Sequence, residues 1–211
     1  MRKKFIEELN NLNALLIEMG AMCEEAINTT MLEIDNEDFD GELYDKVQEL
    51  EDKIDKKEKE IESLCLKLIF TEQPVAKDLR FISSILKMVS DLERIGDQAL
   101  DIADLFKEEI DINILKSSKI NEMTALTSKM VKMSVKSFVN KDPNLAKEVI
   151  SKDNEVDNIF LSIKNGVIMM ISEDMDKGES LVDILMIAKY LERIADHSVN
   201  IAEWVIFAIE G

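Results

Sequence analysis

The chain has 211 residues, 46 % of them hydrophobic, which is enough to bury a real core in one domain or two small ones and excludes an intrinsically disordered chain. Six Gly and two Pro among abundant Leu, Ile, Glu, Lys, Met and Ala describe long helices with few tight turns. A formal charge of −18 sets the molecule against phosphate backbones and anionic headgroups, so direct nucleic-acid binding is not expected.

The N-terminal stretch Met1-Arg2-Lys3-Lys4-Phe5-Ile6 turns acidic before any apolar signal core develops, and no run approaches a membrane span; a cytoplasmic protein without membrane insertion is expected. Phe5, Leu9, Leu12, Leu16 and Met19 recur at helical spacing and define a first amphipathic helix. The acidic break Asp35-Asn36-Glu37-Asp38 ends it, and Val47, Leu50, Ile54, Ile61, Leu64 and Leu68 define a second. Pro74 suits a first helical turn and not a helix interior, so a third helix starts beside Thr71-Glu72-Gln73-Pro74 and runs to about Glu109. A break near Asp111-Ile112-Asn113 precedes a fourth helix with Met123, Leu126, Met130 and Met133; Asp142-Pro143 opens a fifth with Val149, Val156, Ile159 and Ile163. Asp174 to Gly178 separates the sixth, which reaches Gly211. Most of the 12 methionines fall on apolar faces as core filling, and Cys23 and Cys65 are isolated small hydrophobes, as in a reducing compartment.

The third and sixth helices share a sequence. Leu-Glu-Arg-Ile-Gly-Asp-Gln-Ala-Leu-Asp-Ile-Ala-Asp-Leu starts at Leu92, and Leu-Glu-Arg-Ile-Ala-Asp-His-Ser-Val-Asn-Ile-Ala-Glu-Trp starts at Leu191, 99 residues later, with seven of fourteen positions identical. That offset nearly halves the chain and predicts an all-α fold of two tandem three-helix bundles related by internal duplication, residues 1–110 and 111–211.

On the third helix Glu93, Asp97, Asp101 and Asp104 fall within about 80° of one another, opposite Leu92, Ile95, Ala99, Ile102 and Phe106. The sixth repeats the pattern with Glu192, Asp196, Asn200 and Glu203 opposite Leu191, Ile194, Ile201 and Val205. Each preceding helix carries an acid-x-x-x-Asp pair, Glu51 with Asp55 and Asp153 with Asp157. In antiparallel hairpins turning at Gln73 and Met175 these pairs come level with the stripes to within a few residues. Carboxylates held level repel unless cations intervene, and hard oxygen ligands suit Mg²⁺, Ca²⁺, Mn²⁺ or iron, so one metal site per unit is expected. The competing reading is a solvated acidic face. Arg94 and Arg193 are expected to pair across helices. His197, whose counterpart is Gln98, reads as incidental.

Pro74-Val75-Ala76-Lys77-Asp78-Leu79-Arg80, Asp91 to Asp97, and Tyr190 to Glu203 together resemble the paired signature of the PhoU family over essentially the whole length. The resemblance implies two three-helix bundles in a negative regulator of phosphate uptake and phosphate homeostasis, acting through a phosphate-specific ABC transporter and its sensor histidine kinase. It also implies multinuclear clusters of iron or zinc on Glu51, Asp55, Glu93, Asp97, Asp153, Asp157, Glu192 and Asp196. The next stripe positions, Asp101 and Asn200, join them as expected metal ligands, and the oxygen donors leave manganese or magnesium as further candidates. Asp101 against Asn200, and Gln98 in place of the His often found there, are departures that would make the two sites differ. An enzyme is not expected: di-iron carboxylate bundles add a Glu-x-x-His pair from each of two helices, and this chain has one His. A homodimer is expected, and a metal-independent helical adaptor is the alternative function.

Overall fold

The computed structural model describes residues 2–32, 41–72, 74–107 and 110–211, with side chains from Lys4 onward. Helices α1 (Arg2–Leu32), α2 (Glu42–Glu72) and α3 (Ala76–Leu105) form one bundle, and α5 (Ile120–Asn140), α6 (Pro143–Glu173) and α7 (Gly178–Glu210) form the other. The six long helices correspond to those expected. A short α4 (Ile112–Ser117) also occupies the stretch read as a plain break, and α3 stops at Leu105, short of the expected end. The acidic break at 35–38, Gln73 and Glu109 lie outside the described residues.

Aspartates punctuate the second half of the chain. The Asp111 carboxylate accepts from the Asn113 and Ile114 amides at 3.0 and 3.2 Å, opening α4, which is six residues long and follows no apolar period of its own. Asp142 does the same for Asn144 and Leu145 at 3.0 and 3.1 Å, with Pro143 in the first turn of α6. Replacing Asp142 by Ala leaves two N-terminal amides without this acceptor and is expected to lower stability by about 1 kcal/mol in urea unfolding.

The apolar stripes form one continuous core. Leu12, Leu16, Met19, Ile54, Ile61, Leu92, Ile95, Leu191, Ile194 and Ile201 are all fully buried. Of the methionines, Met19, Met88, Met123, Met130 and Met133 are buried, whereas Met169, Met175 and Met186, in and around the α6–α7 connection, are exposed. Both cysteines are free and buried; Cys23 Sγ reaches the Leu92 carbonyl at 3.3 Å, and burial pushes the Cys65 thiol up to about 12, so both act as core side chains.

The bundles join along two seams, α3 against α7 and α1 against α5. Asp91 of α3 meets His197 and Asn200 of α7, while Asp101, further along α3, lies in the fields of Tyr190 and Arg193, earlier on α7. The two helices therefore run antiparallel. Phe81 on α3 stacks on Phe138 of α5, with centroids 4.6 Å apart, and ties the bundles further.

Candidate metal centre

The α2–α3 hairpin returns Glu51 and Asp55 beside Asp97, and one carboxylate oxygen from each lies within 4.8 Å of the others. Among the described residues this is the one set of three potential metal ligands so close together. All three are half-buried. The close approach has a local cause: Gly96 faces Ile54, and a Cβ there would stand 3.0 Å from Ile54 Cδ1 and 3.2 Å from Cγ2. Ile54 sits between Glu51 and Asp55 in the chain, so the missing methyl lets α2 settle against α3 where the carboxylates converge. The second repeat has Ala195 at the equivalent place.

The charges show the strain of convergence. Burial, then Asp55 and Asp97, raise the Glu51 carboxyl above its ordinary range; burial and Asp97 raise Glu93, with Arg94 opposing. Cations offset the set only from its edges. Lys59 lies 3.4 Å from Asp55, while Arg94 reaches Asp97 at 2.9 Å and Glu93 at 3.4 Å. Among the described residues the ion pairs of Arg94 thus run along its own helix, with Glu58 of α2 adding only to its field. Asp101 stands one turn further, raised by burial and Asp97 and drawn down by Arg193.

In the second bundle Asp153 is raised to about 6, by burial first and then by Asp157, Asp196 and Glu192. Its Oδ1 is buried without a hydrogen-bond partner among the described residues. Burial and Glu192 raise Asp196, and Lys189 holds Glu192 in a close ion pair. Asp157 and Asp196 are more exposed than their first-bundle counterparts. Asn200 donates its amide to Asp91 Oδ1 at 3.1 Å and is thereby engaged at the seam.

Two participants escaped the sequence reading. Glu58 lies one turn beyond Asp55, accepts from Ser90 Oγ at 3.2 Å and is raised by burial. Its helical spacing from Glu51 and Asp55 was visible, but the second repeat offers no matching acid, so a search for repetition passes over it. Asp91 is the other: His197 Nδ1 donates to its Oδ1 at 2.9 Å, which makes His197 a tie between bundles rather than an incidental residue.

The donor sets fit a hard cation. They consist of carboxylate oxygens, partly desolvated and mutually repelling, with one orphaned buried oxygen on Asp153. Without a cation the raised carboxyls bind protons more readily folded than unfolded, so stability is expected to fall as pH rises from about 4 to about 6 and to level off above. Thermal unfolding of chelator-treated protein across that window checks it.

Fold and centre together define an internally duplicated protein, helical throughout its long elements, with a close carboxylate triad in the first repeat. The chain belongs to the PhoU family: the family model, a PhoU domain, matches residues 16–106 and again 120–205. It is 36 % identical over 214 residues to the phosphate-specific transport system accessory protein PhoU homolog of Clostridium acetobutylicum, covering all of this chain and 96 % of that protein. The homolog of Aquifex aeolicus is 36 % identical over 211 residues, covering 99 % and 94 %. The crystal structure of PhoU from Pseudomonas aeruginosa superimposes with a TM-score of 0.87 at 31 % identity, covering 98 % of this chain and 99 % of that one. No described helix is long and apolar enough to cross a membrane.

Proposed function

We propose that the chain is a cytoplasmic, non-catalytic regulator of phosphate transport that restrains uptake through a phosphate-specific ABC transporter and its sensor histidine kinase. Its similarity, over essentially its whole length, to proteins named as accessory to phosphate-specific transport carries this reading. In it, cations bound by Glu51, Asp55, Glu93 and Asp97, and by Asp153, Asp157, Glu192 and Asp196, set the affinity of the docked states, with Asp101 bordering the first set. Iron, zinc and manganese are the candidate ions, and an all-oxygen set favours iron or manganese over zinc. The protein acts as a homodimer in this reading.

The test is phosphate uptake by cells lacking the gene. Uptake in high phosphate should rise, return to normal with the wild-type gene, and stay high with Glu51→Gln/Asp55→Asn/Asp97→Asn. Uptake indifferent to the deletion in both high and low phosphate would sink the regulatory reading. Full rescue by the triple variant would instead favour a metal-independent adaptor, a reading that the ion pairs of Arg94 and Lys189 with the stripes already lend some support.

A further inference from the structure

The seam between α1 and α5 differs chemically from the rest of this acidic molecule. Between Leu126 and Val139 the exposed positions of α5 are Lys129, Lys132 and Lys136, within about 60° of one another around the helix. The neighbouring exposed strip of α1, Asn10, Ala14, Ile17, Ala21 and Asn28, carries no charge. Of the acids flanking that strip, Glu18 and Glu25 reach Lys57 and Lys46 of α2, each at 3.0 Å, and Glu7 is exposed near the start of the helix. Glu24 takes Lys132 at 3.0 Å, while among the described residues Lys129 and Lys136 make no ion pair.

Between the two helices lies an open groove of 390 Å³ with Ile17, Ala21, Val135 and Val139 among its walls, Lys132 and Lys136 on the α5 rim and Glu24, paired with Lys132, on the α1 side. Gly20 forms part of it; a Cβ there would stand 2.9 Å from Val135 Cγ2, so the floor depends on a backbone that comes close to α5. Ile17 stays 50 % exposed. The groove is walled by helices whose backbone groups bond internally, so an added strand has nothing to pair with, whereas the side-chain ridge of another helix can lie between the two. A flat bilayer would meet the lysines without filling the recess.

We infer that the α1–α5 groove is a docking site for an amphipathic helix of a partner protein, with apolar residues at i, i+3, i+4 and i+7 in the groove and Asp or Glu facing Lys129, Lys132 and Lys136. The charge choice follows from Lys129 and Lys136, which make no ion pair among the described residues, with Lys132 shared with Glu24: a basic flank would be repelled where an acidic one is drawn in. The site is separate from both carboxylate sets and does not depend on their holding metal.

The experiment titrates the full chain with two labelled 18-residue helical peptides that share a leucine stripe at that spacing, one flanked by Glu and one by Lys, followed by fluorescence anisotropy. The Glu peptide should bind about tenfold or more tightly than the Lys peptide. Lys129→Glu/Lys132→Glu/Lys136→Glu should reverse that order, and Ala21→Arg should abolish binding of both; circular dichroism confirms that each variant is folded. Equal affinity for the two peptides, no binding by either, or indifference to Ala21→Arg overturns the proposal. So does a crosslink from Ala21→Cys to the same face of a second copy, which makes the groove a dimer interface, or lysine-dependent binding to phosphatidylglycerol vesicles without peptide binding, which makes it a membrane-facing patch.

Discussion

Adding Mn²⁺ or Fe²⁺ to chelator-treated protein at pH 7 is expected to raise its melting temperature by about 5–10 °C. The estimate follows from binding to the folded state alone: a cation at a hundred times its dissociation constant contributes about 2.7 kcal/mol, and a chain of this length gains about 2–4 °C per kcal/mol. The increment should shrink toward pH 5, because Asp153, raised to about 6, and the other raised carboxyls bind protons in competition with the metal. The metal-free protein should move the other way, gaining stability on acidification as protons relieve the repulsion. Differential scanning fluorimetry at the two pH values, with and without metal, reads both signs. A metal increment equal at pH 5 and pH 7 would remove the carboxylates as its source.

The second large effect belongs to Ile54. It is fully buried, packs against Gly96 and stands between two residues of the first carboxylate set. Ile54→Ala should lower stability by about 2–5 kcal/mol, from lost burial and from a cavity that the helices only partly close. Any relaxation that fills the cavity slides α2 along α3 and shifts Glu51 and Asp55 relative to Asp97. The variant should therefore lose metal affinity in the first bundle while the second keeps its own. A stability loss below 1 kcal/mol with unchanged metal binding would show that this packing does not set the site. Gly96→Ala is the milder companion, pressing on the same Ile54 atoms and bringing the first bundle toward the second, where Ala195 stands.

Much of this was legible in residue spacing because long helices convert sequence offset directly into face and height. Leu92, Ile95, Ala99 and Ile102 mark a buried face, the acids opposite them remain at the surface, and the 99-residue repeat identifies two bundles before any contact is known. Counting through one hairpin brought the α2 pair beside the α3 stripe and set Asp55 level with Glu93; the close set instead joins Glu51 and Asp55 to Asp97, one turn further along α3. Contacts between the bundles were not legible, because nothing in a one-dimensional pattern says which faces of two separate units meet. Asp91 and His197 are 106 residues apart, their repeat equivalents are Tyr190 and Gln98, and only the antiparallel crossing of α3 and α7 brings them together. Helix α4 escaped for a different reason: six residues capped by one aspartate are too few to display a period.

The duplication also left the two carboxylate stripes unequal in ways that can be traced to single residues. Gly96 allows a close helix pair where Ala195 places a methyl, Asp101 extends the first stripe where Asn200 is engaged by Asp91, and Glu58 supplements only the first bundle. The first centre is accordingly expected to hold metal more tightly than the second.

The most direct test of the metal assignment is elemental analysis of the protein purified without chelator, beside the near-isosteric variants Glu51→Gln/Asp55→Asn/Asp97→Asn and Asp153→Asn/Asp157→Asn/Asp196→Asn. The account predicts tightly held iron, zinc or manganese in the wild type, with each triple variant losing the share of its own bundle. Metal content unchanged by both variants, or no metal in the wild type even after these ions are added back, would contradict it and leave the two stripes as solvated acidic faces.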